Sequence, residues 1–127
     1  MNGLAQVILF AADVGRLRDF YRDGLGLTIL DEAPGWIRLD AGGVVLALHG
    51  VSFPIDTTTE RSDTAIKLGF GVDEAEAEAV MARLSALGAR MRAPTRYGAI
   101  WFCDGVDPEG NVFQLTTRAT PGSDHGV

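Results

Sequence analysis

The 127-residue chain is poor in cysteine, in basic side chains and in long apolar runs. Its one cysteine, Cys103, cannot form a disulfide within the chain, and we therefore expect a reducing, cytoplasmic location. The longest uncharged apolar stretch, residues 42–55, is shorter than the ~18–20 residues of a transmembrane helix. Acidic residues outnumber basic ones by 17 to 11, and the net charge of −6 disfavours a nucleic-acid surface. Neither a membrane nor a nucleic acid is an expected partner.

The composition is that of a globular protein, with 46% apolar and 22% charged residues. A chain of this length corresponds to one ordinary domain. We expect a single domain over residues 1–120, built from modules at about 4–49 and 64–118, with a linker at 50–63 and a flexible tail at 119–127.

Short apolar segments bounded by turn residues predict strands, and two segments with helical spacing predict helices. The first helix should begin after Asp13 as N-cap and end near Gly24. The second should begin at Asp73, with Glu76 forming a capping box, and end before Gly88. The predicted strands are 6–11 (a buried strand), 27–32, 36–40, 44–49, 65–72, 90–92, 99–103 and 112–117.

Two short motifs occur once in each half of the chain. FxxD is found at residues 10–13 and again at 70–73, where a strand leads into a helix. DxxG is found at 40–43 and again at 107–110, where a turn leads into a strand. Together with the order of elements, these repeats predict a duplicated strand–helix–three-strand unit and an α+β fold.

Two segments resemble motifs of a known superfamily. Residues 19–27 (DFYRDGLGL) are similar to a helix-to-strand segment, and residues 107–111 (DPEGN) to a turn, of the vicinal oxygen chelate superfamily. This group contains glyoxalases, bleomycin-resistance proteins and extradiol dioxygenases. The resemblance covers about residues 4–118. It implies two tandem modules that form a curved mixed sheet around a cavity, completed in a homodimer.

The resemblance also implies where a metal ion would be bound in metal-dependent members. The four ligand positions fall on Gln6, Ala47, Lys67 (or Ile66 if the register slips by one) and Gln114. Alanine has no donor atom, lysine is normally a cation, and neutral amides bind hard divalent ions more weakly than carboxylates do. We therefore expect no metal and no cofactor.

Several residues remain candidates for binding a small molecule. The amides of Gln6 and Gln114 can bond to a ligand, or to each other or a buried water. Lys67 can pair with an anionic or phenolate group, or extend to solvent. Trp36 and Trp101 are expected to flank a groove and stack on a planar ligand, with packing in the core or a dimer interface as the alternative.

His49 shares a strand face with Ala47, so it can point into the cavity or simply end its strand as a lone polar residue. No catalytic residue is assigned, and Cys103 is expected to be inert. The expected function is metal-free sequestration of a hydrophobic or planar compound, as in bleomycin-resistance proteins. One alternative is a metal-dependent lyase, isomerase or dioxygenase-like enzyme with a displaced site at His49, Gln6 and Gln114. Another is a metal-free enzyme that uses Lys67 or His49 as acid and base.

Overall fold

The structure, a computed structural model, describes residues 1–57 and 66–118. The chain forms two compact units, Met1–Thr59 and Glu60–Val127, here called unit 1 and unit 2. Their boundary falls within the linker predicted at 50–63. The last part of that linker, the beginning of the second predicted module and the predicted tail at 119–127 lie outside the described residues.

Unit 1 contains one four-stranded mixed sheet and one helical segment. The strands follow the order β1-β4-β3-β2, with β1 parallel to β4 and the other neighbours antiparallel. A parallel pair needs a crossover connection, and the helical segment supplies part of it. The elements are β1 (Gln6–Ala11), α1 (Val14–Asp19), a π-helical turn (Phe20–Gly24), β2 (Thr28–Ala33), β3 (Trp36–Asp40) and β4 (Val45–Gly50).

Local sequence signals explain where these elements begin and end. The Asp13 carboxylate accepts a hydrogen bond from the Arg16 amide at 3.0 Å, which confirms the predicted N-cap of α1. Gly35 adopts a φ of +71° in the turn between β2 and β3. Gly42 and Gly43 adopt positive φ values before β4, a conformation that glycine accepts without steric cost. Both turns fall in the gaps between the predicted strands 27–32, 36–40 and 44–49.

The helical segment covers only one face of the unit 1 sheet. Leu17 and Tyr21 are fully buried, and the rings of Phe20 and Tyr21 meet edge to face at 5.0 Å. The strand residues buried on the same side are Ala11, Ile37, Leu39, Leu46 and Leu48. The expectation that β1 is a buried strand is therefore wrong for half of its residues, since Ile8 and Phe10 remain 40% and 50% exposed on the opposite face.

Unit 2 repeats this design with one more strand. Its sheet follows the order β5-β9-β8-β6, and β7 also pairs with β8. The elements are β5 (Leu68–Gly71), α2 (Glu74–Ala86), β6 (Arg90–Met91), β7 (Thr95–Tyr97), β8 (Ile100–Val106) and β9 (Val112–Thr116). Strand β7 was not predicted, and β8 continues three residues beyond the predicted end at Cys103.

Helix α2 begins without the predicted capping box. The Asp73 side chain makes no capping hydrogen bond, and its backbone carbonyl instead accepts from the Glu76 amide at 2.9 Å. The helix is held by its apolar face, on which Ala77, Val80 and Leu84 are buried. Its end before Gly88, which has a φ of +105°, agrees with the prediction.

The turn at residues 107–111 has a buried carboxylate at its centre. Asp107 accepts hydrogen bonds from the amides of Glu109 (2.8 Å) and Asn111 (3.0 Å), and from the Asn111 side chain (2.9 Å). These bonds satisfy a carboxylate that is only 2% exposed. The turn thereby fixes where β8 ends and β9 begins.

The predicted α+β class, with a duplicated strand–helix–strands unit, is confirmed by these elements. Each unit has its own mixed sheet. Among the described residues, no helix has the length and apolar character needed to cross a membrane.

Candidate ligand-binding site

One face of the unit 1 sheet carries side chains that its own helical segment does not cover. Strand pairing places Phe10 beside His49 and His49 beside Trp36. One row away, Ala47 lies between Ile8 and Arg38. Residues paired in this way project to the same side of a sheet. We call this side the open face of unit 1.

Three rings form a continuous row across β1, β4 and β3, here called the aromatic row. The ring centroids of Phe10 and His49 are 5.6 Å apart, and those of His49 and Trp36 are 5.5 Å apart. Phe10 and His49 are exposed, and Trp36 is half-buried. The structure therefore places two predicted site residues, Trp36 and His49, in contact, and adds Phe10, which sequence reasoning did not include.

Arg38 was also missed as a site residue. It pairs with Ala47 across the sheet, and its Nη1 donates to Asp31 Oδ2 at 2.6 Å. Its side chain is 36% exposed. Strand alternation from Trp36 gives the signal that could have found it, because residues two apart on a strand share a face.

Gln6 lies on the open face but in a different place from the aromatic row. It pairs with Val45, whereas His49 pairs with Phe10, four residues further along β1. Four residues of strand span about 13 Å, while two donor atoms on one metal ion lie within about 4 Å of each other. Unit 1 therefore does not bring Gln6 and His49 together as ligands of one ion.

Unit 2 also has an open face, on the side of its sheet away from α2. Lys67 Nζ lies 2.9 Å from Asp104 Oδ2, and Gln114 Nε2 donates to Asp104 Oδ1 at 3.2 Å. Gly69 and Gly71 leave space beside this network, since a Cβ at either position would meet nothing within 4 Å. The predicted residues Lys67 and Gln114 are brought together, but through Asp104, which was not predicted.

Strand register relates the two open faces position by position. Ala47 and Gln114 each follow a DxxG turn by four residues and lie in corresponding strands. In each unit the first strand runs parallel to that strand. In unit 1 Ala47 pairs with Ile8, and Gln6 lies two residues before Ile8. In unit 2 Gln114 pairs with Gly69, and Lys67 lies two residues before Gly69. Lys67, rather than Ile66, therefore corresponds to the third of the four ligand positions that the resemblance implies.

The two tryptophans do not occupy corresponding positions. Trp36 pairs with His49, and the corresponding pair in unit 2 is Phe102 with Thr116. Trp101 comes one residue before Phe102 in β8. Its side chain therefore projects from the opposite face of the sheet, because successive residues of a strand point to opposite faces. The expectation that Trp101 lies on an open face, like Trp36, is corrected: it is 8% exposed and faces α2.

Trp101 instead lines a separate cavity in unit 2, of about 430 Å³. Pro94 and Arg96 form one wall, and Glu74 and Glu78 of α2 form the other. Arg96 forms an ion pair with Glu74 across this cavity. The cavity is on the helix side of the sheet and shares no residue with the Lys67–Asp104–Gln114 network.

The side chains at the four positions do not fit a divalent metal ion. The Lys67 ammonium is held by Asp104, Ala47 offers no donor, and Gln114 donates to a carboxylate. Across residues 1–57 and 66–118, no group of three or more His, Cys, Asp or Glu side chains could hold a metal ion.

Cys103 is buried on the helix side of β8. Its thiol donates to the Arg92 carbonyl at 3.0 Å. Burial and the neighbouring Asp104 raise the pKa of the Cys103 thiol, so it remains protonated at neutral pH. A buried, protonated thiol is a poor nucleophile, in agreement with the expectation that Cys103 is inert.

The chain belongs to the glyoxalase-like domain family, whose sequence profile matches residues 6–116. The match extends over both units and confirms the resemblance to the vicinal oxygen chelate superfamily. No functionally curated protein matches the chain.

Solved structures with similar folds span nearly the whole chain. The fosfomycin resistance protein FosX from Mesorhizobium loti is 17% identical, with a TM-score of 0.76, and the match covers 94% of both chains. A single-residue mutant of FosX from Listeria monocytogenes, solved with Mn(II) and dihydroxypropylphosphonic acid, is 15% identical, with a TM-score of 0.77 and coverage of 94% and 92%. A glyoxalase/bleomycin resistance/dioxygenase family enzyme from Burkholderia phytofirmans is 22% identical, with a TM-score of 0.72 and coverage of 88% and 95%. At these identities the likeness establishes the fold alone.

Proposed function

We propose that the protein binds a hydrophobic or planar small molecule, without a metal ion, on the open face of unit 1. The observation that carries this proposal is the aromatic row, whose rings lie side by side on a sheet face that their own unit leaves uncovered. Aromatic contacts contribute ~0.5–1.5 kcal/mol each beyond the burial of their area. The ring planes of Phe10 and His49 differ by 41° and those of His49 and Trp36 by 77°, so a flat ligand can stack on one ring and meet its neighbour edge to face.

The proposed role is sequestration, as expected of a resistance protein, and it requires affinity rather than a catalytic group. Resemblance in fold to the fosfomycin resistance proteins supports a resistance-like role. Gln6 remains a proposed ligand-binding residue on the open face of unit 1. Lys67 and Gln114 remain proposed ligand-binding residues on the open face of unit 2, where they offer hydrogen bonds to a polar group. Trp101 remains a proposed ligand contact only through its own cavity in unit 2.

Two tryptophans on different faces provide a direct test. In Trp101→Phe protein, Trp36 is the sole tryptophan and reports on the aromatic row. We expect titration with phenylnaphthylamine, a neutral planar probe, to quench Trp36 emission saturably and to raise the melting temperature. Trp36→Phe protein, which retains Trp101, reports on the cavity of unit 2, and its emission should be quenched less than that of Trp36. Absence of both quenching and thermal stabilisation in the Trp101→Phe protein contradicts the proposal.

A metal-dependent lyase, isomerase or dioxygenase-like activity is the second candidate, and the Mn(II) complex of the Listeria protein is what favours it. Metal analysis by mass spectrometry separates the two. After equilibration with nickel, zinc, manganese and iron(II) followed by desalting, we expect far less than one ion per chain. Stoichiometric retention of any of these ions contradicts metal-free binding.

We also propose a cytoplasmic homodimer. Strands β1 and β5 are edges of their sheets, and unpaired edges favour association. Light scattering at micromolar concentration should give twice the chain mass of 13.5 kDa, and a monomer counts against this part of the proposal.

A further inference from the structure

A guanidinium group lies beside the aromatic row on the open face of unit 1. We propose that Arg38 makes this site selective for planar aromatic compounds that carry an anionic group, such as a carboxylate or a sulfonate. This inference rests on the proposed function, because it assigns a ligand class to the same site.

The strand geometry sets the spacing between ring and charge. Arg38 follows Trp36 by two residues on β3, so the two side chains share a face at about 7 Å along the strand. The anionic oxygens of an aromatic acid lie about 4 Å from the ring centre, and a hydrogen bond of about 2.9 Å from a guanidinium nitrogen adds the rest of that distance. The planes of Trp36 and His49 are 77° apart, so a planar ligand stacks on Trp36 and meets His49 edge to face, and from there it can present its acid group to Arg38.

The residue beside Arg38 on the neighbouring strand is small. Ala47 lies between Arg38 and Ile8 in the strand pairing and is completely buried beneath its neighbours. No long side chain therefore extends from β4 at this row of the open face.

Asp31 orients the guanidinium without using all of its donors. Arg38 donates through Nη1 to Asp31 on the neighbouring strand, and an arginine has five N–H donors. The two side chains are 36% and 51% exposed, and an ion pair this exposed contributes only about 0–1 kcal/mol. A ligand anion can share Arg38 with Asp31 or displace it at little cost.

The charges around Arg38 limit but do not cancel this selectivity. The titratable groups on the same face are His49 in the aromatic row, Asp40 and Asp31. Asp40 lies one row beyond Ala47, and its Oδ1 accepts from the Gly42 amide at 2.8 Å. The position in unit 2 that corresponds to Arg38 is Asp104, so a cation at this position is a property of unit 1 alone.

Two probes that share an aromatic frame test the inference. Anilinonaphthalene sulfonate carries an anionic group, and phenylnaphthylamine has the same rings without it. Charge-assisted hydrogen bonds are about twice as strong as neutral ones. We expect Arg38→Met to weaken binding of the sulfonate about 10-fold and to change binding of the neutral probe by less than about 2-fold. Arg38→Lys should fall between wild type and Arg38→Met for the sulfonate.

Arg16→Met is the matched control. It removes the same charge from an exposed position on α1, on the other side of the same sheet, and should leave the affinity for both probes unchanged. Equal loss of both probes in Arg38→Met protein, or equal loss of the sulfonate in Arg16→Met protein, overturns the inference. If wild-type protein binds neither probe, the proposed function itself fails. If it binds both and Arg38→Met does not distinguish them, only the selectivity fails.

Asp31→Asn adds a test of opposite sign. Removing the competing carboxylate should strengthen sulfonate binding about 2-fold in an otherwise wild-type chain. It should have no such effect when Arg38→Met is also present. A gain of the same size in both backgrounds means that the effect is general electrostatics and contradicts a direct role of Arg38. Retained far-ultraviolet circular dichroism and melting temperature show that each variant is folded.

Discussion

The open faces of the two units have the same strand pairing but different chemistry. Ala47 in unit 1 corresponds to Gln114 in unit 2, and Arg38 corresponds to Asp104. In unit 2 the polar groups satisfy one another, because Asp104 accepts from both Lys67 and Gln114. In unit 1 the small residue Ala47 lies between Arg38 and Ile8, in the row next to the three rings. The open face of unit 1 is the proposed ligand-binding face, whereas the open face of unit 2 has already used much of its polarity internally.

A few side chains therefore determine what each copy of a duplicated scaffold can do. The backbone registers agree, so the difference does not come from the fold. It comes from substitution at positions that face away from the helix, where packing of the core imposes little constraint. The helix-covered faces, by contrast, are filled with buried apolar residues in both units.

The largest expected effect is a difference between Trp36 and Phe102, which occupy corresponding positions in the two units. Trp36→Ala should weaken phenylnaphthylamine binding at least about 30-fold, because it removes both stacking and buried aromatic area. Phe102→Ala, the change at the corresponding position of unit 2, should have less than about 3-fold effect. Fluorescence titration of the probe measures both affinities. Similar losses in the two variants would mean that the units contribute equally to binding.

A second comparison concerns the two faces of one sheet. A Cβ at Gly105 would lie 2.6 Å from Met91 Sδ and 2.7 Å from Phe113 Cζ, whereas a Cβ at Gly69 would meet nothing within 4 Å. We expect Gly105→Ala to lower the free energy of unfolding by about 2 kcal/mol through overpacking. Gly69→Ala, on the open face, should change it by less than about 0.5 kcal/mol. Urea denaturation measures both, and equal stability of the two variants contradicts the assigned facing of β8.

The smallest expected effect concerns the polar network of unit 2. Lys67 and Asp104 are 43% and 23% exposed, so their coupling should be about 0.5 kcal/mol and should decrease with added salt. A double-mutant cycle with Lys67→Met and Asp104→Asn, read by urea denaturation, measures it. The same cycle with Arg38→Met and Asp31→Asn is the comparison in unit 1. A coupling in unit 2 above about 2 kcal/mol would show that its network is a major source of stability.

Local patterns were sufficient for most of the elements. Strand β3 was predicted with its observed ends, and the Asp13 cap and the glycine turns were found from residue types with strong positional preferences. Strand β7 was missed because its three residues are all exposed and have no apolar periodicity. The prediction of a capping box at the start of α2 was wrong, because the same sequence pattern also permits a helix start that uses backbone hydrogen bonds alone.

The candidate site was predicted less completely, and the reason is register. Trp101 was grouped with Trp36 because the two lie in corresponding strands, but the sequence did not determine the register of the strand at 99–103. That register decides the face, since a strand reverses its side chains at every residue. Asp104 was missed because strand β8 extends three residues beyond its predicted end. Arg38 was missed because an arginine on a strand gives no local sign of what lies across the sheet.

The sequence by itself determined the duplicated α+β architecture, the family, and the unsuitability of Gln6, Ala47, Lys67 and Gln114 as a set of metal ligands. These conclusions depend on residue type and local spacing, which are present in the chain before it folds. Only the tertiary structure decided that Phe10, His49 and Trp36 form one row and that Lys67 is held by Asp104. Those contacts join residues far apart in sequence, and strand pairing over such distances is fixed by the packing of the whole sheet.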